Sequence, residues 1–211
     1  MQFRIWFSRT LFESVLIVIS ILLALTVAEV QEERELEQLV VRSLTSFENE
    51  ISQNRNRIDD IYPFHLGLHS VLTELEAKEG TSSAEEFRNI LDSFQSAVLL
   101  ASAWETALAT GALTHMDYEV VSALSLTYSI QNRFQELHNT GLGELLSATN
   151  MSSENMPATT YAAIRYMGDV TRAESELQVV YQQALELIGA NGEDGAEDER
   201  LSSDKEQGLL H

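Results

Sequence analysis

The chain has 211 residues, of which 13 are Lys or Arg and 33 are Asp or Glu, so its formal net charge is −20. This acidic excess argues against a nucleic-acid-binding protein, because phosphate backbones are bound by Lys and Arg. The absence of cysteine excludes disulfides, thiolate nucleophiles and iron–sulfur clusters. The 10 glycines and 2 prolines are too few for an all-β sandwich, and the 44% hydrophobic content supports a core over most of the chain.

An apolar segment close to the N-terminus predicts a transmembrane helix. Residues 11–30 read LFESVLIVISILLALTVAEV, without charge from Ser14 to Ala28. Twenty helical residues measure about 30 Å, which matches the core of a lipid bilayer. Aromatic residues of the kind that occupies the membrane interface precede or open the segment, namely Phe3, Trp6, Phe7 and Phe12.

Two other interpretations of this segment remain open. A cleaved signal peptide would use Arg4 and Arg9 as its basic region and Thr26-Val27-Ala28 as its cleavage site. The residues that follow, EVQEERELEQLVVRSL, favour a helix that continues out of the bilayer, because they are good helix formers without Gly or Pro. The third interpretation, a buried core helix, is disfavoured because the segment has no polar face.

The distribution of charge predicts the orientation of this span. The residues before Glu13 carry +2, and those from Glu29 onward carry 11 basic against 32 acidic side chains, or −21, which with Glu13 gives −20. Lys and Arg close to the two ends are nearly balanced, so they contribute little to the assignment. We predict a cytoplasmic N-terminal tail (1–10), a span (11–30) and a main domain (31–188) outside the cytoplasm.

Beyond the span, apolar residues recur at helical spacing. The first helix is predicted to continue over 31–62 and to break or kink at Pro63, and a second helix to reach about Lys78 before Gly80. A third helix is predicted from a capping box of Ser83 and Glu86 to Gly111. One apolar stripe covers its length: Phe87, Ile90, Leu91, Phe94, Val98, Ala101, Trp104 and Leu108.

Two further helices and a tail complete the predicted chain. The fourth helix restarts after Thr114 and Asp117, and a looser connection covers 139–155. The last helix places Pro157 at its first position and ends at Gly189, before a mostly acidic segment (189–211) that we predict to be disordered. The predicted fold is therefore all-α, with one N-terminal transmembrane helix continuing into an antiparallel helical bundle.

Two histidines are the weak candidates for a metal site. His65 and His69 are four residues apart, so they share one face of a helix. Leu66 follows His65, which excludes the zinc-protease motif, and no third ligand is nearby in sequence. The alternatives are two surface or partly buried histidines, or ligands of a tetrapyrrole. We predict no metal and no cofactor.

The sequence offers no recognisable catalytic motif. It contains neither G-x-S-x-G nor S-x-x-K nor a glycine-rich phosphate loop, so we predict a protein that is not an enzyme. Trp104 is either an anchor of the core or a contact for a partner. Ser20, Ala24 and Ala28 place small side chains on one face of the span, and such residues let transmembrane helices approach closely.

Two stretches resemble a large family of uncharacterised bacterial membrane-anchored proteins that contain a domain of unknown function. Around the span, Glu13, Ile17–Ile19, Leu22–Leu25 and Glu32-Glu33-Arg34 are similar to that family's span and its N-x-W-N-E-E-R continuation, although Ser20 replaces its glycine and the Trp–Asn pair is missing. The second match is Trp104-Glu105-Thr106-Ala107-Leu108, continued by Thr110-Gly111, Leu113 and Asp117. The resemblance implies a bacterial single-span protein with a helical domain outside the cytoplasm, and no catalytic residues.

Two classes of function follow from these features. The first is a non-catalytic accessory or scaffolding subunit, whose span docks through Ser20, Ala24 and Ala28 on an integral membrane complex. By analogy, the host could be a respiratory or photosynthetic complex. The second is an extracytoplasmic ligand-binding or sensor module, which would need a separate partner because only about ten residues precede the span.

Overall fold

The computed structural model describes the backbone of residues 2–77, 84–145, 147, 152 and 154–208; within these ranges, side chains are described from Val15 to Ala190, except at 84, 91 and 142. The helices are α1 (Gln2–Ala77), α2 (Ala84–Asp92), α3 (Ser102–Thr110), α4 (Tyr118–Leu145) and α5 (Met156–Gly208), with a 3-10 turn at Ala112–His115. No strand occurs in these ranges, and the predicted all-α class is confirmed.

The two longest helices, α1 and α5, pack antiparallel. Gln178 Nε2 of α5 donates to Asp59 Oδ1 of α1 at 2.7 Å. Glu174 Oε1, one turn earlier in α5, lies 2.6 Å from His65 Nδ1, nearly two turns later in α1. The residue numbers of the partners in α5 therefore decrease as those in α1 increase, as the predicted antiparallel bundle requires.

Of the break or kink predicted at Pro63, the break is wrong, because α1 continues through this residue to Ala77. Proline removes one backbone N–H and crowds the carbonyl four residues earlier. Tertiary contacts offset this cost, since Asp59 and His65 lie on either side of Pro63 and both bond to α5. The first two predicted helices are thus one helix; Lys78 and Gly80, where its end was predicted, lie outside the described residues.

The predicted third helix is also wrong, because it is interrupted. α2 begins at Ala84 and ends at Asp92, and α3 begins only at Ser102. Residues 94–101, which we call the strap, have no regular secondary structure. Ser93 closes α2, since its backbone N–H and its hydroxyl both donate to Ile90 O. Ser83, the predicted cap, lies outside the described residues.

The strap fills the space between α1 and α4. Ala97 and Leu99 of the strap are buried, and its backbone groups bond to polar side chains of both helices. On the α1 side these are Asn54, Arg57 and His65, and on the α4 side Gln131 and Gln135. The chain therefore folds as α1, then α2–strap–α3 running back, then α4 and α5, which is an up-down bundle with one element partly unwound.

The turn between α3 and α4 follows the sequence prediction. Gly111 caps α3 with φ +74°, the left-handed conformation that glycine adopts without strain. Asp117 Oδ1 accepts the backbone N–H of Glu119 at 2.7 Å and so caps α4. α4 continues to Leu145, six residues beyond the start of the predicted loose connection. Gly141 and Gly143 therefore lie within the helix.

α5 begins as predicted but ends later. Met156 is its first residue and Pro157 lies in its first turn, where a missing N–H costs nothing. The backbone continues past Gly189, the predicted end, and stays helical to Gly208. This differs from the predicted disordered tail. The segment contains no proline, and its Ala, Glu, Leu, Lys and Gln residues are good helix formers.

The apolar core begins well beyond the N-terminal segment. Phe47 is the first fully buried apolar residue described, and the core continues through α1, α4 and α5; its largest members are Tyr181, Phe47, Phe87, Phe134, Ile51, Ile58, Leu72, Leu124, Met167 and Leu177. Val15 to Val30, by contrast, is exposed throughout. The described residues contain one helix that is long and apolar enough to cross a membrane, and none of its apolar window is buried in the protein.

Gly141 provides a test of how closely α4 approaches α5. A Cβ atom at Gly141 would lie 2.4 Å from Tyr166 Cε2, whereas one at Gly143 would meet nothing within 4 Å. We expect Gly141→Ala to lower the free energy of unfolding by about 1–3 kcal/mol, because the ring must move. Gly143→Ala should raise it by about 1 kcal/mol through helix propensity. Urea unfolding followed by circular dichroism measures both, and equal effects would contradict the packing.

Candidate functional site

Polar side chains are buried along the interior of the bundle, at the positions where α1, α4 and α5 surround the strap and α3. The fully or nearly buried ones are Glu50, Asn54, His65, Thr127, Gln131, His138, Thr159, Thr160 and Glu174. Buried polar groups are costly unless they are hydrogen-bonded. Three groups of contacts account for most of them.

Glu50 binds the N-terminus of α3. Its Oε2 atom accepts the backbone N–H of Ala103 at 3.0 Å and the hydroxyl of Ser102, and its Oε1 atom accepts the hydroxyl of Tyr128 at 2.7 Å. Three donors and the positive end of a helix stabilise a carboxylate. Burial raises the pKa of Tyr128 well above its usual range, and the bond to Glu50 adds to this, so Tyr128 remains a donor.

Asn54 and Gln131 bind the backbone of one residue of the strap, Leu100. Asn54 Oδ1 accepts the N–H of Leu100 at 2.9 Å, and Asn54 Nδ2 donates to the carbonyl of Leu100 at 2.7 Å. Gln131 Nε2 donates to the same carbonyl at 2.8 Å. Gln131 Oε1 accepts from Asn54 and from the Tyr181 hydroxyl, so every polar atom of the two amides is used at least once.

His65 lies in the third group of contacts, with both ring nitrogens occupied. Its Nε2 atom donates to the carbonyl of Gln95 at 2.8 Å, since a carbonyl can only accept. Its Nδ1 atom lies 2.6 Å from Glu174 Oε1, so one proton lies between these two atoms. Both side chains are fully buried. Phe94 of the strap stacks on the imidazole at 4.8 Å and 10°.

His138 and Tyr166 lie beside this pair, and we call His65, His138, Tyr166 and Glu174 the histidine cluster. The ring centroid of His138 lies 6.2 Å from that of His65 and 6.4 Å from that of Tyr166. Burial raises the pKa of Tyr166 to about 12, and the charge of Glu174 adds to this. The cluster thus combines two imidazoles, a phenol and a carboxylate from three helices.

We expect the buried His138 to make the stability of the protein depend on pH. Burial lowers the pKa of His138 to about 4, and His65 adds to this, while a backbone bond to Phe134 opposes it. The unfolded chain, with its ordinary histidine pKa, therefore binds more protons between about pH 4 and 6.5. We expect the free energy of unfolding to fall by about 3 kcal/mol as pH decreases through this window.

Two variants test the contribution of His138 to this pH dependence. His138→Gln should flatten the slope of unfolding free energy between pH 6.5 and 4, because the group that gains the proton on unfolding is gone. His115→Gln is the matched control, since His115 is exposed and should leave the slope unchanged. An unchanged slope in His138→Gln would contradict the assignment.

The structure separates the two histidines of the predicted pair. His69 is half-buried near Gly168 of α5, where its Nε2 atom would lie 3.7 Å from a Cβ on that glycine. His65 has no free nitrogen to offer a metal ion. Among the described residues, no group of three His, Cys, Asp or Glu side chains is arranged to hold a metal ion.

The remaining predicted site residues lie in α3 and in the N-terminal part of α1. Trp104 is half-buried against Tyr128, with centroids 5.4 Å apart, and Phe47, at 6.4 Å, which is the arrangement of a core anchor. Ser20, Ala24 and Ala28 are exposed on the N-terminal part of α1. The Ser20 hydroxyl donates to Leu16 O within the helix at 2.8 Å. The donor of this small side chain is therefore already hydrogen-bonded within α1.

Most of the histidine cluster could not be found from the sequence. His65 and Glu174 are 109 residues apart, and nothing near either residue marks the other. His138, Tyr166 and Glu174 occur at ordinary positions of amphipathic helices. The one local signal is Gly141, a glycine inside a helical pattern, which marks the close approach of the Tyr166 ring.

Together these features define an all-α bundle protein with one candidate membrane span and a buried polar interior. Comparison with known proteins gives no match: no family model, no curated protein and no solved structure is similar to this chain. The resemblance to the bacterial single-span family therefore stays a prediction.

Proposed function

We propose that this protein is a non-catalytic, single-pass protein of a bacterial inner membrane, which serves as an accessory or scaffolding subunit of a larger membrane complex. The observation that carries the proposal is the continuity of α1. One helix of 76 residues includes the exposed apolar segment and supplies part of the core of the bundle. A continuous helix fixes the distance and direction of the domain relative to the span.

The distance between the bundle and the bilayer follows from the length of helix that joins them. Phe47 lies 17 positions after Val30, which corresponds to about 25 Å of helix. The side chains between them are exposed or half-buried, with Glu32, Glu33 and Glu35 exposed. We place the bundle on the periplasmic side, at this distance from the bilayer, where it can reach the extramembrane part of a partner.

The span is the proposed docking element. All its described side chains are exposed in the isolated chain, and the face of Ser20, Ala24 and Ala28 would let a partner helix approach closely. An integral membrane complex that buries this face would account both for the small residues and for the anchor. Lipid covers the remaining faces of the span.

Co-purification from native membranes tests this proposal. After extraction in mild detergent, native gel separation and mass spectrometry should find the protein in one large complex at fixed stoichiometry. Changing Ser20, Ala24 and Ala28 together to leucine should release it, because the larger side chains separate the helices. The control changes Val15, Val18 and Thr26 of the opposite face to leucine and should leave the complex intact. Migration as a free monomer would overturn the proposal.

A ligand-binding or sensor module is the second candidate, and the histidine cluster favours it. His65 lies on the same helix as the span, and the cluster lies beside the strap, which side chains of α1 bind directly. A groove of about 840 Å³ between α1 and α2 lies nearby, lined by Phe64, Leu68 and Ile90 among others. A ligand-dependent rise in melting temperature of the full chain, without any associated complex, would favour this candidate.

A further inference from the structure

Three polar atoms of the histidine cluster have no hydrogen-bond partner within the described part of the chain. They are His138 Nε2, Tyr166 Oη and Glu174 Oε2. Their residues are 8%, 7% and 0% exposed, so bulk water does not reach them. Buried polar atoms are nearly always paired with protein or with ordered water. Three such atoms in one cluster therefore require hydrogen-bond partners that the described side chains do not supply.

The hydrogen-bonding character of each atom follows from its neighbours. His138 Nδ1 bonds to Phe134 O at 3.2 Å and must carry the proton, because a carbonyl only accepts. His138 Nε2 thus carries a lone pair and is an acceptor. The imidazole is neutral because burial lowers the pKa of His138 to about 4. Glu174 Oε2 is an acceptor, since the proton shared with His65 lies at Oε1. The Tyr166 hydroxyl is a donor.

The side chains that carry these atoms lie close together in the core. The Tyr166 and His138 rings lie 6.4 Å apart, and His138 lies 6.2 Å from His65, whose Nδ1 atom contacts Glu174. The charge of Glu174 acts on Tyr166, yet the two side chains form no hydrogen bond. Two acceptors and one donor are therefore left unpaired on neighbouring side chains.

We propose that the histidine cluster encloses one water-sized molecule that donates hydrogen bonds to His138 Nε2 and Glu174 Oε2. Water fits this set best, because it donates twice and accepts once, from the Tyr166 hydroxyl. An ammonium ion shares the donor chemistry, but it cannot accept from Tyr166. This enclosed molecule, which we call the guest, would join His138 of α4 to Tyr166 and Glu174 of α5. Glu174 in turn contacts His65 of α1.

Removing the Tyr166 hydroxyl tests the proposal in the full chain in detergent micelles. If the hydroxyl bonds to a guest, Tyr166→Phe should lower the melting temperature by about 2–4 °C. If the hydroxyl is truly unpaired, its removal should leave the melting temperature unchanged or raise it, which would overturn the proposal. Tyr161→Phe is the matched control on the same helix, because Tyr161 is 55% exposed and should not change the melting temperature.

A second measurement distinguishes a guest from a direct bond between Tyr166 and Glu174. Nuclear Overhauser effects should connect a long-lived water to the rings of Tyr166 and His138 in the wild-type chain, and should weaken in Tyr166→Phe. Replacing potassium by ammonium at constant ionic strength should leave the melting temperature unchanged if the guest is water, and raise it if the guest is ammonium. A destabilised Tyr166→Phe with neither a water signal nor an ammonium response would overturn the proposal.

Discussion

Asn54→Ala is expected to lower the free energy of unfolding by about 2–4 kcal/mol. The substitution removes both hydrogen bonds between Asn54 and Leu100 and one to Gln131. Gln131 still satisfies the carbonyl of Leu100, but the N–H of the half-buried Leu100 loses its partner. An unsatisfied buried donor costs about 1–3 kcal/mol, and each lost bond adds about 1 kcal/mol. The strap should loosen first, because Asn54 binds it directly.

Asn56→Ala is the matched control for this prediction. Asn56 is exposed on the same helix, so both variants gain the same helix propensity, and the difference between them isolates the contact with the strap. Urea unfolding of the full chain in detergent gives both values. Hydrogen exchange at Leu100 should also be faster in Asn54→Ala. If the two variants were equally stable, the strap would not depend on Asn54.

Breaking the buried pair of His65 and Glu174 is the second large effect. We expect Glu174→Leu or His65→Leu alone to cost about 3–5 kcal/mol, because each leaves its partner buried without a counterpart. The double variant should cost clearly less than the sum of the two. Replacing both members of a buried pair by apolar groups removes the desolvation penalty together with the attraction.

An exposed pair between α4 and α5 provides the control for this double-mutant cycle. Arg133 Nη2 lies 3.3 Å from Glu176 Oε1, and both side chains are at least half exposed. Alanine substitutions there should give a coupling energy below about 1 kcal/mol. Coupling between His65 and Glu174 should exceed it by several-fold. Additive effects at His65 and Glu174 would mean that the two side chains do not share a proton in the folded chain.

The sequence predicts the class of fold and the apolar segment because both depend on local pattern. Apolar spacing identifies α1, α4 and α5, and glycine chemistry identifies the cap at Gly111. Pro63 shows where local rules fail, since its intrinsic cost is offset by contacts between α1 and α5 that the sequence does not display. For the acidic C-terminal segment, composition alone likewise did not predict the helical backbone.

The strap could not be predicted, because its apolar residues also fit a helix. Phe94, Val98 and Ala101 continue the spacing of α2. What unwinds this stretch is a set of partners far away in sequence: Asn54 is 46 residues from Leu100, and Gln131 is 31 residues from it. The histidine cluster is hidden for the same reason, since its members come from three helices and are joined only by folding.

In the proposed arrangement, one helix both crosses the membrane and supplies part of the core of the bundle. Because the chain has no cysteine, single-cysteine labelling reports directly on its topology. Ser129→Cys, at an exposed position of α4, should react in intact cells with a maleimide that does not cross the inner membrane, whereas Ser8→Cys should react only after that membrane is opened. Labelling of Ser8→Cys in intact cells, or release of the protein into the soluble fraction, would contradict this claim.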